Sequence, residues 1–114
     1  MRNYYRIMLG AKSIFADECF KGNFIGADFD IQQDLTNQLP DNWREFNHKF
    51  IPVWLKPRPE KSKVSAGLAC GALWTISKGI KVGDLVICPN GAGGYLVGEV
   101  STNYYYQPGT NLPH

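Results

Sequence analysis

Seven aromatic side chains, Phe29, Trp54, Trp74, Tyr95 and the run Tyr104-Tyr105-Tyr106, are the residues of this chain best suited to chemistry. Such rings can stack on a flat, uncharged ligand such as a nucleobase, while a nearby carboxylate or amide reads the donor edge of that ligand. Phe29 stands between Asp28 and Asp30, with Asp34 close behind, which is a poor place to bury a ring without purpose. Trp74 is offset from the most apolar stripe of its segment. Aromatic residues also build cores, and Trp43, Phe46 and Phe50, at i, i+3 and i+7, are expected to do so.

Other chemistries have little material. The two histidines are His48, inside an amphipathic segment, and His114 at the end of the sequence, so no nucleophile, base and orienter assemble from the pattern. Asp28, Asp30 and Asp34 resemble a cation-binding run but lack the glycine turn and terminal Glu of a calcium loop. Cys19, Cys70 and Cys88 have no CxxC spacing, which argues against a disulfide framework or a zinc site and for reduced, buried thiols. Pro89–Gly94 is glycine-rich, yet it leads into a strand and carries no Lys-Ser/Thr, so it reads as a hairpin turn rather than a phosphate cradle. No cofactor or metal is indicated, and the chain reads as non-catalytic.

The 114 residues suffice for one domain with one core, and 44% hydrophobic content is ordinary for a globular fold. A net charge of +2 is too small for strong non-specific binding to polyanions. The densest basic stretch is Lys56, Arg58, Lys61 and Lys63, which reads either as a solvated loop or as a phosphate-contacting one. Without a signal peptide or a long apolar run, the expected location is the cytoplasm. Leu112-Pro113-His114 carries no capping signal and reads as the entrance to a linker, so that residues 1–114 would be the N-terminal part of a longer protein.

The elements that must position these groups follow from pattern. Asn3–Leu9 reads as an opening strand, and Ser13 as the N-cap of a short helix that Gly22 ends. Phe24–Asp30 has the length of a second strand. Pro40-Asp41-Asn42 starts a helix that Pro52 kinks or ends. A further helix begins near Ser62 or Ser65, buries Leu68, Ala69, Ala72, Leu73 and Ile76, and stops at Gly79. Leu85–Cys88 and Tyr95–Val100 form a hairpin, with a bulge or close approach at Gly98. The order predicts an α+β domain in which helices cover a small, strongly bent, barrel-like sheet.

Several stretches resemble the PUA-like superfamily, specifically the EVE and YTH-like modified-base-reading domains at the N-termini of Mrr-like and McrB-like modification-dependent restriction proteins. They are Phe24-Ile25-Gly26, Phe29, Asp34-Leu35, Ile80-Lys81-Val82-Gly83-Asp84-Leu85-Val86, Gly94-Tyr95-Leu96-Val97-Gly98-Glu99-Val100 and Tyr104-Tyr105-Tyr106-Gln107-Pro108. The resemblance spans nearly the whole chain and is most specific in the final third. It implies a five- or six-stranded barrel-like sheet with a pocket at the ends of the first two strands. On that resemblance Phe29 would stack on a flipped base, Trp74 and Trp54 would wall it, and Asp30 would accept from an exocyclic amine. Lys12 and Ser13 would meet the base edge or phosphate. The sequence departs from the pattern where Phe29 replaces a Trp and Asp28 a Gly.

The function this implies is recognition of a modified base in DNA by base flipping, on behalf of a fused or associated restriction nuclease. The alternatives are a module for RNA or a nucleotide-like ligand, and a protein-interaction domain whose aromatics serve only as core.

Overall fold

The turn Lys81-Val82-Gly83-Asp84 organises the sheet in a computed structural model that describes residues 2–29, 31 and 33–114. Gly83 takes φ +95°, a conformation open to glycine at little cost. The buried Asp84 carboxylate accepts from Lys81 N at 2.9 Å and from Asn3 N at 3.0 Å, and its backbone carbonyl accepts from Val100 N at 2.8 Å. One residue thereby ties the start of β1 (Tyr4–Arg6), the start of β2 (Leu85–Pro89) and the end of β3 (Tyr95–Glu99). The amides of Asn3 and Lys81 hold the Asp84 carboxyl below its ordinary pKa, because they stabilise the charged form.

The sheet order is β1-β2-β3, with β2 parallel to β1 and antiparallel to β3. Every residue of β2 is buried or half-buried, as an apolar run covered on both faces should be. The Pro89–Gly94 segment is the hairpin turn its composition requires. Asn90 Oδ1 accepts from Ala92 N at 2.8 Å and from Gly94 N at 3.0 Å, closing the reversal from the side. Neither the bulge nor the close backbone approach expected at Gly98 forms: pairing runs without interruption from Leu85↔Glu99 to Pro89↔Tyr95, and a Cβ on Gly98 would meet Val86 Cγ2 at 3.7 Å, an ordinary contact.

Three helices complete an α+β fold. Helix α1 (Ala16–Gly22) starts from Phe15, and Ser13 belongs instead to a separate 3-10 turn, Ala11–Ser13, with no side-chain cap. Helix α2 (Trp43–Leu55) is capped by Asn42, which accepts from Glu45 N at 2.9 Å. It continues through Pro52, which removes one amide near the helix end while its carbonyl still accepts from Lys56 N at 3.1 Å. Trp43 is 44% exposed and lies under the Arg44 guanidinium, 4.6 Å from the ring centre, so only Phe46 and Phe50 of the expected trio enter the core.

Helix α3 (Lys63–Trp74) is capped by Ser62, and it buries Ala66, Cys70 and Leu73. Leu68 is 73% exposed, which corrects the expected stripe. The helix is apolar on nearly every side, so periodicity alone does not select its buried face. The contact with α2 does: Asn47 Nδ2 donates to Gly67 O at 3.2 Å, turning the small Gly67-Gly71 side toward α2.

The expected second strand, Phe24–Asp30, is irregular over its described residues, and Asp30 lies outside them. Asn23 (φ +56°) and Phe29 (φ +51°) turn the backbone left-handed at either end of it, which interrupts an extended ladder. The described strands therefore form an open mixed sheet of three, not a closed barrel.

Two cores result. One lies between the sheet and α1, around Leu9, Cys19, Val86 and Cys88; the other lies among the helices, around Leu35, Phe46, Phe50 and Leu73. Ile76 packs against both.

Candidate ligand-binding site

The residue that bridges the two cores sits on an unusual piece of backbone. After Trp74 the helix widens into a π-turn, Thr75–Gly79, closed by Ile80 N donating to Thr75 O at 2.8 Å. Such turns re-aim side chains that a regular helix would hold in line, and they recur at functional sites. Here the turn places Ile76 and Ser77 on the wall of a cavity of about 400 Å³. The sheet contributes Val86, Cys88 and Leu96, helix α1 contributes Cys19 and Phe20, and the segment after it contributes Phe24 and Ile25. Tyr104, Tyr105 and His114 close the remaining side. A second cavity of about 270 Å³ shares Phe24, Ile25, Tyr105 and His114 with the first.

The wall at Tyr104 and His114 is held by a directed chain of hydrogen bonds. Leu35 N donates to the Tyr104 hydroxyl at 3.1 Å, so the hydroxyl proton is free to go to His114 Nδ1, 2.8 Å away. Nδ1 is then the acceptor, and the proton of the neutral ring sits on Nε2, which donates to Ile31 O at 2.5 Å. His114 N also donates to Ala27 O at 3.0 Å, which binds the end of the described chain to the irregular 24–29 segment. The Tyr104 and Tyr106 rings lie 5.9 Å and 5.1 Å from the imidazole. Burial pushes the His114 pKa below 6.5, against the opposing pull of the Ile31 carbonyl and of Asp28 and Asp34.

The lining is electrically quiet. Burial, with Glu18 and Cys88 nearby, pushes the Cys19 thiol up to about 11, and burial raises Cys88 as well, so both stay protonated. Glu99 supplies the carboxylate on the rim, and it pairs with Arg2 at 3.0 Å. Ser77 is 5% exposed, and its Oγ is buried without a hydrogen-bond partner. Neutral, partly aromatic walls with a few polar groups suit an uncharged ligand.

Of the residues that the resemblance assigns to the base, Lys12, Ser13, Asp28, Phe29, Trp54 and Trp74 line neither cavity and Asp30 lies outside the described residues, whereas Tyr104 and Tyr105 of the expected aromatic run line the first. Lys12 and Ser13 sit beside the hairpin turn, where a Cβ on Gly91 would lie 3.4 Å from Lys12 O, and both adopt positive φ. Trp54 packs on the helical core under the Arg58 guanidinium at 4.5 Å. Trp74 packs on the same core and donates from Nε1 to Pro40 O at 2.9 Å. Asp28 is close enough to influence His114, and Phe29 is half-exposed on a left-handed backbone that a bulky residue rarely adopts. Phe24, Ser77 and His114 went unrecognised. The sequence pattern puts Phe24 on a strand, Ser77 carries no motif, and His114 has no chemical partner near it in sequence.

Among the described residues no three His, Cys, Asp or Glu side chains gather to hold a metal, and no helix is long and apolar enough to cross a membrane. Neither a curated protein nor a solved structure matches the chain. One family model, described as a domain of unknown function, matches residues 5–114. With all but the first four residues inside that match, the chain belongs to the DUF8426 family.

Proposed function

We propose that this domain is a non-catalytic reader that takes one modified base, flipped out of DNA, into the cavity between the sheet, α1 and the Tyr104–His114 wall. The observation that carries the reading is the cavity itself: about 400 Å³, with Phe24, Tyr104 and Tyr105 among its walls and neutral thiols at its side. Small-ligand sites span about 300–1,000 Å³. A flat, uncharged ring would gain stacking on the aromatic walls and lose no ion pairing on entry.

The resemblance to EVE and YTH-like domains supplies the rest of the proposal: a PUA-like fold, a nucleic-acid partner, and a restriction nuclease, fused or associated, that the reader recruits in the cytoplasm. Segment 104–114 supports the fold, because it lies back on residues 24–29 through His114 N to Ala27 O and folds on itself through Gln107 N to Pro113 O at 2.8 Å. In this reading Trp54 and Trp74 serve the helical core, and the base contacts fall to Phe24, Tyr104 and Tyr105. Lys56, Lys61 and Lys63 are exposed and available to phosphates.

Equilibrium binding at matched salt tests the proposal. The ligands are duplexes with one 5-methylcytosine, 5-hydroxymethylcytosine or N6-methyladenine, their unmodified twin, the corresponding RNA and the free nucleosides. A preference for one modified duplex, reduced about tenfold or more by Tyr105→Ala, is expected, since stacking contributes about 1–3 kcal/mol per base. Equal affinity for modified and unmodified DNA overturns the proposal. Preference for RNA or a free nucleoside reassigns the ligand.

A further inference from the structure

We infer that the base this cavity accepts carries a hydroxyl on its modification, and that Ser77 distinguishes it from a methylated base; the inference rests on the base-reading proposal above. Ser77 lines the cavity, is almost wholly buried, and leaves its Oγ without a partner. A serine in a helix ordinarily relieves such isolation by donating to the carbonyl one turn back. Thr75, two residues earlier, does that with Gly71 O at 2.9 Å, whereas Ser77 on the π-turn does not. An unpartnered buried hydroxyl is costly, and native folds rarely keep one without a use. The other such atom among the described residues, Asn47 Oδ1, belongs to a residue outside both cavity linings, where α2 meets α3.

The surroundings narrow what can satisfy Ser77. Ile76, Ile80, Val86 and Leu96 are apolar, and the Cys19 and Cys88 thiols are neutral, so no cation stands ready for a carboxylated or phosphorylated group. A methyl group would fill space and leave the hydroxyl isolated. A hydroxymethyl group, uncharged and both donor and acceptor, could pair with Ser77 in either sense. The Oγ is shielded from solvent, so this pairing requires the serine to turn about its single side-chain torsion toward the cavity, and 5-hydroxymethylcytosine has the required chemistry.

The test compares wild type, Ser77→Ala and Ser77→Thr against duplexes bearing cytosine, 5-methylcytosine or 5-hydroxymethylcytosine at one position, at matched salt. Wild type is expected to bind the hydroxymethyl duplex about tenfold or more tighter than the methyl duplex, the discrimination one buried hydrogen bond provides. Ser77→Ala should lose that ratio, and Ser77→Thr should retain part of it. Equal wild-type affinity for the two modified duplexes, or a ratio that survives in Ser77→Ala, overturns the inference and leaves base reading standing. Wild type with no preference for either modified duplex over cytosine overturns the inference, and if N6-methyladenine gives none either, base reading falls with it. Should Ser77→Ala fail to fold, the wild-type ratio alone decides.

Discussion

Tyr104 and His114 show how far a residue's role can lie from its local sequence. The hydroxyl that accepts from Leu35 N and donates to His114 Nδ1 joins positions 69 and 10 residues away, and the imidazole reaches a carbonyl 83 residues back. No spacing rule anticipates such a set, because His114 has no chemical partner near it in sequence. The network has a direct pH consequence. Burial holds the folded pKa of His114 below 6.5, so between those two values the unfolded chain binds a proton that the folded chain refuses. Its contribution to stability is full above 6.5, declines as pH falls below that, and is lost once pH is below the folded pKa. Urea midpoints measured from pH 8 to 5 should fall on the acid side, and His114→Gln should flatten that fall. Tyr104→Phe leaves Leu35 N and Nδ1 without their shared partner and should cost about 1–3 kcal/mol in the same assay at pH 8. A midpoint unchanged by Tyr104→Phe would mean the network contributes nothing to the fold.

At the scale of elements, what was legible in the sequence was whatever a short segment decides for itself. The helix starts at Pro40-Asp41-Asn42 and near Ser62, the hairpin turn at Pro89–Gly94 and the strands that flank it follow from local chemistry, and the structure contains them, whereas the N-cap expected at Ser13 does not form. What long-range packing decides was not legible. Helix α3 is apolar nearly all round, so the choice between its Leu68 and Leu73 faces came from α2 and not from its own period. Leu73→Ala should therefore cost about 2–5 kcal/mol in chemical denaturation, and Leu68→Ala within about 0.5 kcal/mol of zero. The strand expected over Phe24–Asp30 is irregular over its described residues for a related reason: their conformation depends on the returning chain. A Cβ on Gly26 would come within 2.8 Å of Leu112 Cβ and 3.0 Å of Leu112 O, so Gly26 lets the two segments touch. Gly26→Ala should lower stability by about 1–3 kcal/mol, the usual cost of overpacking, and a neutral result would show that the 107–114 segment moves aside freely. The candidate site shares this limit, because the cavity is made where α1, the π-turn, the sheet and the tail meet, and the sequence pointed instead to individual aromatic residues.

The whole molecule is two cores joined through Ile76, with a neutral cavity where the sheet core meets the tail and a basic loop at the start of α3. Helix α3, 12 residues long and rising about 1.5 Å per residue, spans the distance between that loop and the π-turn. In the proposed complex the cavity supplies specificity and the loop supplies sequence-independent attraction, so the two should separate under mutation. Lys61→Ala should weaken binding to modified and unmodified duplexes alike and lower the salt slope, leaving their ratio unchanged. The location of the base is decided by an NMR titration of the isotope-labelled chain with the preferred modified duplex, referenced to its unmodified twin. The signals shifted by the modified duplex alone should come from the cavity, at Ile25, Ser77, Leu96 and Tyr105. Modification-dependent shifts confined to Phe29, Trp54 and Trp74, or to the exposed Val64 and Leu68 of α3, with the cavity unperturbed, would contradict it.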